Sequence, residues 1–311
     1  MHIDDKIFSF AEKTDVLLRQ FYQGCGFSRY RMTKFEEYDL YSRNKDFLLS
    51  PEVLAFMDMG GRVMALKPDV TLSIVKNTRD SGELQKIYYS EKVYRPEEGV
   101  GFREFSQVGV EIMGALSAED IADTILLAAE SLQQISDNFV LELSNLDILL
   151  AVVSNLSEGK LLRRDIFRLV EKKNVADLKR LCEDNELDSQ AAEKLFELLK
   201  ISGPAAKQLP KLEALLQDLG FGKELDQLKQ VVSKLEKLGS KLWLDFSSTD
   251  DLRYYNGFAF KAYVEGLAEP VLSGGQYDKL MQKMHRKDQA IGFAIFLNTL
   301  ERLEEAAGQD A

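Results

Sequence analysis

The chain has 311 residues, of which 51 are acidic and 40 are basic, and its formal net charge is −11 at neutral pH. Proteins that bind nucleic acid through its phosphates present a basic face, so this balance argues against tRNA or DNA as a main ligand. Two histidines and two cysteines cannot supply a zinc-type ligand cluster, and no apolar run reaches the ~18 residues of a membrane span. The acidic start "MHIDDKIFSF" differs from a secretion signal, so we expect a cytoplasmic protein with reduced, buried thiols at Cys25 and Cys182.

Helical and strand patterns alternate at the start of the chain. Apolar residues at near-helical spacing predict a helix over residues 4–23. Residues 28–41 are rich in strand formers. Residues 55–66 have the pattern of a hairpin, in which Gly60 and Gly61 can supply positive φ at a tight turn.

The longest strand signal covers residues 86–114, where two runs are joined by a charged loop that contains glycine. Ser117 and Asp120 resemble a capping box and predict a helix over about 118–134. The stretch "NFVLELSN" then returns to a strand pattern.

The composition changes at about residue 145. Leu, Lys, Glu and Asp dominate residues 145–238 with helical periodicity, which predicts five or six helices. The strand pattern resumes at "KLWLDFSS" and is followed by a glycine loop in "LSGGQYDKL" and a strand running into a helix in "QAIGFAIFLNTLERLEE". A sheet interrupted by a helical insert is typical of an antiparallel α+β fold.

Six blocks of sequence resemble, in the same order, the catalytic core of class II histidyl-tRNA synthetases. They are "YRMTKFEEYDLY", "LKPDVTLSIVKN", "EKVYRPEEGVGFREFSQVGVEIMG", "LRYYNGFAFKAY", "SGGQYDKL" and "IGFAIFLNTLERL". The resemblance covers nearly all of residues 1–310. It implies an α+β fold with a class II synthetase-like antiparallel sheet flanked by helices, in which residues 1–144 and 239–311 form the core and residues 145–238 form an inserted helical subdomain.

The blocks that line the amino-acid pocket of these synthetases are kept, which implies a site for free histidine. Asp69 and Thr71 match positions that hold the ligand's ammonium group. Gln107 and Glu111 match positions that reach the amino acid from the central strands, and they lie four apart on a strand, so both point to one sheet face. By itself, Glu111 could equally belong to a structural ion pair, because a carboxylate on an apolar strand needs a partner.

Aromatic residues and a glycine-rich stretch complete the implied pocket. Tyr255, with Tyr254 beside it, matches the tyrosine that contacts the imidazole, although one of the pair is expected to be an ordinary strand aromatic. The remaining implied ligand contacts are Ser273, Gly274, Gly275 and Tyr277. The two glycines could instead serve only a tight turn. Arg103 is our expectation for the partner of the ligand carboxylate.

The positions that serve ATP and tRNA in the synthetases are altered. Adenylation needs fixed cations against the α-phosphate. The altered positions are Asp250 and Thr299 in place of arginines, Lys92 in place of a phosphate-binding arginine, and Glu97 and Glu98 in the loop of the long hairpin. The chain also ends soon after the last block, so we expect no anticodon-binding domain.

This pattern resembles more closely the regulatory subunits of ATP phosphoribosyltransferase, which are paralogues of those synthetases. The resemblance implies a non-catalytic subunit, without cofactor or metal, that activates a catalytic short-form ATP phosphoribosyltransferase chain and binds histidine for feedback inhibition of histidine biosynthesis. It also implies a homodimer through residues 28–41, within a hetero-octamer. Thr33 stands where the synthetases have a proline at the dimer strand, and the loops 96–102 and 273–277 are the expected movable parts.

Two other functions fit parts of the sequence. A truncated synthetase-like enzyme would adenylate an amino acid and would catalyse histidine-dependent exchange between ATP and pyrophosphate. A tRNA-binding scaffold would use the same fold without the reaction. The acidic charge disfavours the scaffold, and the altered cation positions disfavour the enzyme.

Overall fold

A computed structural model describes residues 7–217, 221–247 and 254–302. The helices are α1 (Phe10–Gly24), α2 (Tyr38–Ser42), α3 (Thr71–Asn77), α4 (Ala118–Gln133), α5 (Leu146–Leu156), α6 (Lys160–Glu171), α7 (Val175–Asp184), α8 (Ser189–Leu198), α9 (Ala205–Leu216), α10 (Gly222–Lys234) and α11 (Asp278–Lys283). Residues 297–302 are also helical. The strands are β1 (Ser28–Arg29), β2 (Phe35–Glu37), β3 (Ala55–Met57), β4 (Val63–Leu66), β5 (Gln85–Glu97), β6 (Gly101–Gly114), β7 (Phe139–Asn145), β8 (Ser202–Pro204), β9 (Leu242–Asp245), β10 (Asn256–Val264), β11 (Leu272–Gln276) and β12 (Gln289–Phe296).

A large sheet of nine strands has the order β1-β5-β6-β12-β11-β10-β7-β9-β8, and a small sheet has the order β2-β4-β3. The pairs β5–β6, β6–β12, β11–β12 and β8–β9 are antiparallel, whereas β1–β5 and β7–β9 are parallel. The predicted α+β fold, with a mostly antiparallel sheet and flanking helices, is confirmed.

Contacts divide the chain into two compact units. The first contains Met1–Ser117, Leu127–Phe139 and Lys261–Ala311, and the second contains Ala118–Leu126 and Val140–Phe260. The second unit includes the six helices from α5 to α10, which agrees with the predicted number of helices. The domain boundaries at 144 and 239 stay a prediction.

The first helix starts later than its apolar spacing predicted. Residues 8 and 9 are not helical, and α1 begins at Phe10. Ser9 and Glu12 form a capping box: the Glu12 amide donates to Ser9 Oγ at 3.2 Å, and the Ser9 amide donates to Glu12 Oε2 at 2.9 Å. These bonds satisfy backbone N–H groups that have no partner in the first turn, so the helix begins there.

Two of the predicted strand regions were right and one was partly wrong. The hairpins β3–β4 and β5–β6 form as expected, although only Gly61 of the glycine pair has positive φ, at 79°. Residues 28–41 contain two short strands, but the last part folds into α2, because Tyr41 is fully buried from a helical turn. The burial of Tyr41 outweighs the local strand propensity of this segment.

The prediction of a glycine loop at residues 273–277 was wrong. These residues up to Gln276 form the buried strand β11, which pairs with β12 over its whole length. Glycine and serine are common in loops, but here these small residues lie inside a sheet strand.

Helix α1 covers one face of the sheet in the first unit. Tyr22 is fully buried, with its ring centroid 6.3 Å from Phe27, 6.3 Å from Tyr88 and 6.1 Å from Phe293. Its hydroxyl donates to Ser131 Oγ at 3.1 Å. The opposite face of β5, β6 and β12 therefore remains for α3 and α11, whose first residues carry the candidate ligands.

Neither cysteine forms a disulfide; Cys182 is buried as expected, but Cys25 is exposed, because it lies just beyond the last turn of α1. Across the described ranges, no helix is both long enough and apolar enough to span a bilayer.

Candidate functional site

Small residues occupy one face of three neighbouring strands in the first unit. Gly275 lies opposite Gly292, and Gly292 lies opposite Glu111. Cross-strand partners point to the same side of a sheet, so Glu111 shares a face with these small residues; its carboxyl group lies over Gly292, and the Tyr89 phenol lies over Gly109. We call this surface the glycine platform; its residues are Gly109, Ser273, Gly275, Gly292 and Ala294.

Glu111 is held at the edge of the platform by two hydroxyl groups. Thr71 Oγ1 donates to its Oε1 at 2.7 Å, and the Tyr277 hydroxyl donates to its Oε2 at 2.7 Å. The side chain is buried, and no lysine, arginine or histidine of the described ranges lies within ion-pair distance of it. Among the described residues Glu111 therefore does not form the structural ion pair that the sequence analysis considered. Two other predicted ligand residues, Thr71 and Tyr277, both contact its carboxyl group.

The Glu111 carboxyl group has an unusual protonation equilibrium. Burial raises its pKa to about 8; the hydrogen bonds from Tyr277 and Thr71 oppose this rise, and the nearby Asp69 charge adds to it. Burial also raises the pKa of Asp69. Removing a carboxylate from water favours its neutral form, so burial shifts Glu111 toward the protonated form near neutral pH.

Gly292 provides the space in which the Glu111 carboxyl group lies. A Cβ at position 292 would be 1.9 Å from Glu111 Oε2 and 2.5 Å from the Val110 carbonyl oxygen, closer than any real contact. Sequence reasoning missed this residue. A glycine inside the apolar strand "QAIGFAIF" was the available signal, since such a glycine often marks a close approach.

Asp69 precedes the first turn of α3. Its Oδ1 accepts a hydrogen bond from the Leu72 amide at 2.8 Å, which satisfies one free N–H group of this short helix. Thr71 is the first residue of α3 and is buried. Asp69 therefore fixes the turn that brings the Thr71 hydroxyl to Glu111.

Arg95 is a site residue that the sequence analysis did not identify. Its Nε donates to the Pro68 carbonyl at 2.7 Å, and its Nη2 lies 3.5 Å from Gln107 Oε1. Its charge lowers the pKa of Asp69, against the effect of burial. Gln107 is buried, and its Nε2 is 3.4 Å from the Tyr89 hydroxyl. A cation therefore stands beside Asp69 and Gln107.

The two cations that the sequence analysis considered lie elsewhere. Arg103 is exposed and pairs with Glu97 at 2.7 Å; it is eight residues from Glu111 on β6, or roughly 27 Å along a strand. Its role as a ligand partner stays a prediction, without support from this geometry. Lys92 lies opposite Ser106 in the sheet, so it points away from the Glu111 face, and it pairs with Glu104 at 2.5 Å.

The remaining predicted contacts divide by position. Gly274 lies in β11 opposite Phe293, so it faces the side covered by α1, and neither it nor Gly275 serves a tight turn. Tyr254 and Tyr255 precede β10 in the second unit, with ring centroids 4.8 Å apart and nearly perpendicular planes. Strand alternation does not apply to them, and their place in the pocket stays a prediction. Asp250 lies outside the described residues.

Comparison with known proteins identifies the family. The histidyl-tRNA synthetase family matches residues 6–300. An ATP phosphoribosyltransferase regulatory subunit from Caldanaerobacter subterraneus subsp. tengcongensis is 31% identical over 299 residues, which cover 93% of this chain and 77% of that protein. The chain belongs to the family of ATP phosphoribosyltransferase regulatory subunits.

Solved structures agree with the fold of this regulatory-subunit family. An ATP phosphoribosyltransferase regulatory subunit/histidyl-tRNA synthetase from Bacillus halodurans has a TM-score of 0.83 at 22% identity, covering 94% of this chain and 78% of that one. An ATP phosphoribosyl transferase (HisG:HisZ) complex from Thermotoga maritima has a TM-score of 0.72 at 18% identity, covering 92% and 97%. At these identities the structures establish the shared class II synthetase-like fold.

Proposed function

We propose that this regulatory subunit senses free histidine and passes the signal to a catalytic ATP phosphoribosyltransferase chain in histidine biosynthesis, without catalysing a reaction itself. The observation that carries the proposal is the Glu111 carboxyl group, held by Thr71 and Tyr277 beside the glycine platform. Three residues that match amino-acid contacts of the synthetases meet at this carboxyl group, which supports a ligand site there.

The chemistry of the site suits histidine. Glu111 and the Tyr277 hydroxyl can each satisfy an imidazole nitrogen, and Asp69 with Thr71 can receive the ammonium group. Arg95, beside Gln107, takes the place of Arg103 as the partner of the ligand carboxylate.

The absence of catalysis is supported by the charges of the β5–β6 hairpin. Lys92 pairs with Glu104, and Arg103 pairs with Glu97, so these cations are neutralised by carboxylates of the same hairpin. Adenylation requires cations that face the α-phosphate.

One observation favours the alternative of an adenylating enzyme. Arg95 places a guanidinium group beside Gln107, where it could face either a ligand carboxylate or a phosphate. Histidine-dependent exchange between ATP and labelled pyrophosphate tests this alternative: we expect none above background, and turnover that depends on Arg95 would establish the enzyme.

The partner is proposed to be a catalytic short-form ATP phosphoribosyltransferase subunit, since the relatives are named as regulatory subunits and one structural neighbour was solved as a HisG:HisZ complex. Feedback requires that histidine bind one state of the complex more tightly, and such coupling is typically about 5- to 150-fold. The predicted loop 96–102 is reduced to the turn 98–100, because β5 extends to Glu97 and β6 begins at Gly101, and this turn is the proposed movable part. Slower hydrogen exchange in this turn at saturating histidine is expected, and unchanged exchange would remove the turn from the mechanism.

We further propose a homodimer within a hetero-octamer. Exposed apolar side chains cluster on the small sheet β2-β4-β3 and its hairpin turn, which includes part of the predicted 28–41 interface. They are Phe35, Leu54, Phe56, Met57, Met59 and Val63. A cluster of this kind on a soluble chain marks a contact surface.

The test of the function is calorimetry with histidine, on the wild type and on Glu111→Ala, with and without the catalytic chain. We expect the substitution to remove most of the binding heat, because it deletes the carboxyl group and leaves the Thr71 and Tyr277 hydroxyls without a partner. Thr14→Ala, a buried hydroxyl deletion on α1, is the control. Equal heats for the wild type and Glu111→Ala would place histidine elsewhere and overturn the proposed site.

A further inference from the structure

Lys67 is a buried charged residue of the first unit, two positions before Asp69. Its side chain is 1% exposed, and its Nζ forms an ion pair with Glu91, whose side chain is mostly buried as well. Burial lowers the pKa of Lys67, while the hydrogen bond and the charge of Glu91 oppose this lowering. None of the functions proposed above uses this pair.

The ion pair joins three segments of the chain. Glu91 belongs to β5, and its other carboxylate oxygen accepts a hydrogen bond from the Met32 amide at 3.4 Å, in the segment that leads into β2. Lys67 directly follows β4, and its own amide donates to the Lys34 carbonyl at 3.1 Å. The pair therefore lies where β5 meets the chain before β2 and the chain after β4.

The pair also lies next to the proposed histidine site. Glu91 is opposite Gln107 in the register of β5 and β6, so it points to the sheet face that carries Glu111. From Lys67 the chain reaches Asp69 after one intervening residue. A shift of Lys67 would therefore move the segment that carries the proposed ligand contacts.

Main-chain bonds align the same segment with β5. The Tyr94 amide donates to the Lys67 carbonyl at 2.9 Å, and Arg95 Nε donates to the Pro68 carbonyl at 2.7 Å. Both donors belong to β5, as Glu91 does. The ion pair adds the side chain of Lys67 to this alignment, so that both the backbone and the side chain are bound to one strand.

Stability alone does not explain a buried ion pair. Taking two charges out of water costs free energy that their attraction offsets only in part, and apolar side chains of similar volume often give equal stability. An ion pair supplies direction instead, because its atoms satisfy each other in one arrangement. Between Lys67 and Glu91 this selects one position of the chain before Asp69.

We propose that Lys67 and Glu91 are positioning residues of the histidine site. Their bond fixes residues 67–71 against β5, and it thereby places Asp69 and the Thr71 hydroxyl that donates to Glu111. The inference rests on the proposed function, since it concerns the same ligand. Lys67 and Glu91 act through Asp69 and Thr71 and do not contact the ligand themselves.

The double variant Lys67→Met/Glu91→Leu tests this role, because it replaces the pair by apolar side chains of similar length. Each single variant should lower the urea midpoint by leaving a buried charge unpaired, and the double variant should recover most of that loss. Histidine affinity should not recover: calorimetry on the full-length double variant should show about tenfold weaker binding, since the site is less preorganised. Glu91→Gln, which keeps the shape and an acceptor oxygen, should weaken binding by about threefold.

A second measurement needs no ligand. The Leu72 amide donates to Asp69 at 2.8 Å, so its hydrogen exchange, followed by NMR without histidine, reports the position of Asp69. We expect exchange about tenfold faster in the double variant than in the wild type. Leu18→Ala is the control, because it opens a cavity beneath α1; it should lower the urea midpoint and leave histidine affinity and Leu72 exchange unchanged.

The outcomes separate this role from a purely structural one. A double variant that binds histidine as tightly as the wild type, or that leaves Leu72 exchange unchanged, would overturn the proposal. An equal loss of affinity in Leu18→Ala would overturn it too, because affinity would then follow stability. No heat from histidine with the wild type would refute the proposed ligand, whereas faster Leu72 exchange in the double variant would still support the positioning of Asp69.

Discussion

The guanidinium of Arg286 lies 2.8 Å from the Asp80 carboxylate and connects the end of α3 with the turn that follows α11. Its Nη1 donates to the Val75 and Thr78 carbonyls at 2.8 and 2.7 Å, where α3 ends. The helix α3 begins at Thr71, and α11 follows Tyr277 and ends shortly before Arg286. Arg286 thus fixes the C-terminal ends of α3 and α11. Thr71 and Tyr277, at the N-terminal ends of these helices, hold Glu111.

Replacing Arg286 should loosen both helices. Arg286→Ala leaves carbonyls and Asp80 without their donor, and we expect a loss of about 2 kcal/mol in the free energy of unfolding. Histidine affinity should fall as well, because Thr71 loses its fixed position. Urea unfolding and calorimetry measure the two effects. The control is Arg43→Ala, which removes an exposed pair with Asp39 and should cost less than about 0.5 kcal/mol. Similar losses for both variants would contradict this role.

A side chain at position 292 should displace Glu111. Gly292→Ala puts a methyl group 1.9 Å from Glu111 Oε2 and 2.5 Å from a backbone oxygen, which cannot move freely. We expect a loss of about 2–3 kcal/mol in the free energy of unfolding and no detectable histidine binding. Gly222→Ala, where a Cβ meets no atom within 4 Å, is the matched control and should be neutral or slightly stabilising. Normal histidine binding by Gly292→Ala would show that the platform does not form the site.

The raised pKa of Glu111 predicts a specific dependence of stability on pH. The pKa is about 8 in the folded chain and about 4.3 in an unfolded one, so the folded state binds the proton more tightly between these values. The stability from this group is complete below about pH 4.3 and is lost as pH rises to about 8, by at most roughly 1.4 kcal/mol per pH unit. Glu111→Gln, which resembles the neutral form of the carboxyl group, should lack this dependence of the free energy of unfolding on pH. Urea midpoints of both proteins between about pH 6 and pH 8 compare the slopes. Parallel slopes would mean that Glu111 is already ionised.

Histidine binding should release a proton from Glu111. Because burial raises the pKa of Glu111, its carboxyl group becomes a stronger partner for an imidazole or ammonium donor once it is ionised. Calorimetry at neutral pH, in buffers with different heats of ionisation, should detect release of up to about one proton, and histidine affinity should rise as pH approaches about 8. Glu111→Gln should bind weakly with no such release. A proton count near zero for the wild type would contradict the coupling.

The small sheet should carry the contact between two copies. Met57→Asp places a charge on an exposed side chain of the apolar cluster, and we expect it to convert the homodimer to a monomer in light scattering at micromolar concentrations. Val175→Asp makes the same change at an exposed apolar residue of α7 and should leave the dimer intact. A dimer that survives Met57→Asp would move the interface away from this sheet.

Sequence reasoning found most of the strands and grouped Thr71, Tyr277 and Glu111, which meet in the structure, because both results depend on short-range pattern and on a matching order of blocks. It placed Gln107 and Glu111 on one face from their spacing alone. It could not align Gly275 with Gly292 and Glu111, because the register between strands that are distant in sequence is set by the folded sheet. For the same reason it mistook a buried strand for a glycine loop.

The cations show a similar limit. Lys92 and Arg95 lie three residues apart on β5, so they point to opposite faces, and only the structure shows that Arg95 shares the face of Glu111. The bond between Arg286 and the Val75 carbonyl joins residues 211 positions apart, and no local pattern indicates it.

A pocket whose bottom consists of main-chain atoms has a fixed greatest depth. Substitution at Gly275 or Gly292 can only raise that bottom, since no residue is smaller than glycine. A change in the specificity of the proposed site therefore requires substitutions at side chains such as Glu111 and Tyr277 rather than at the glycines.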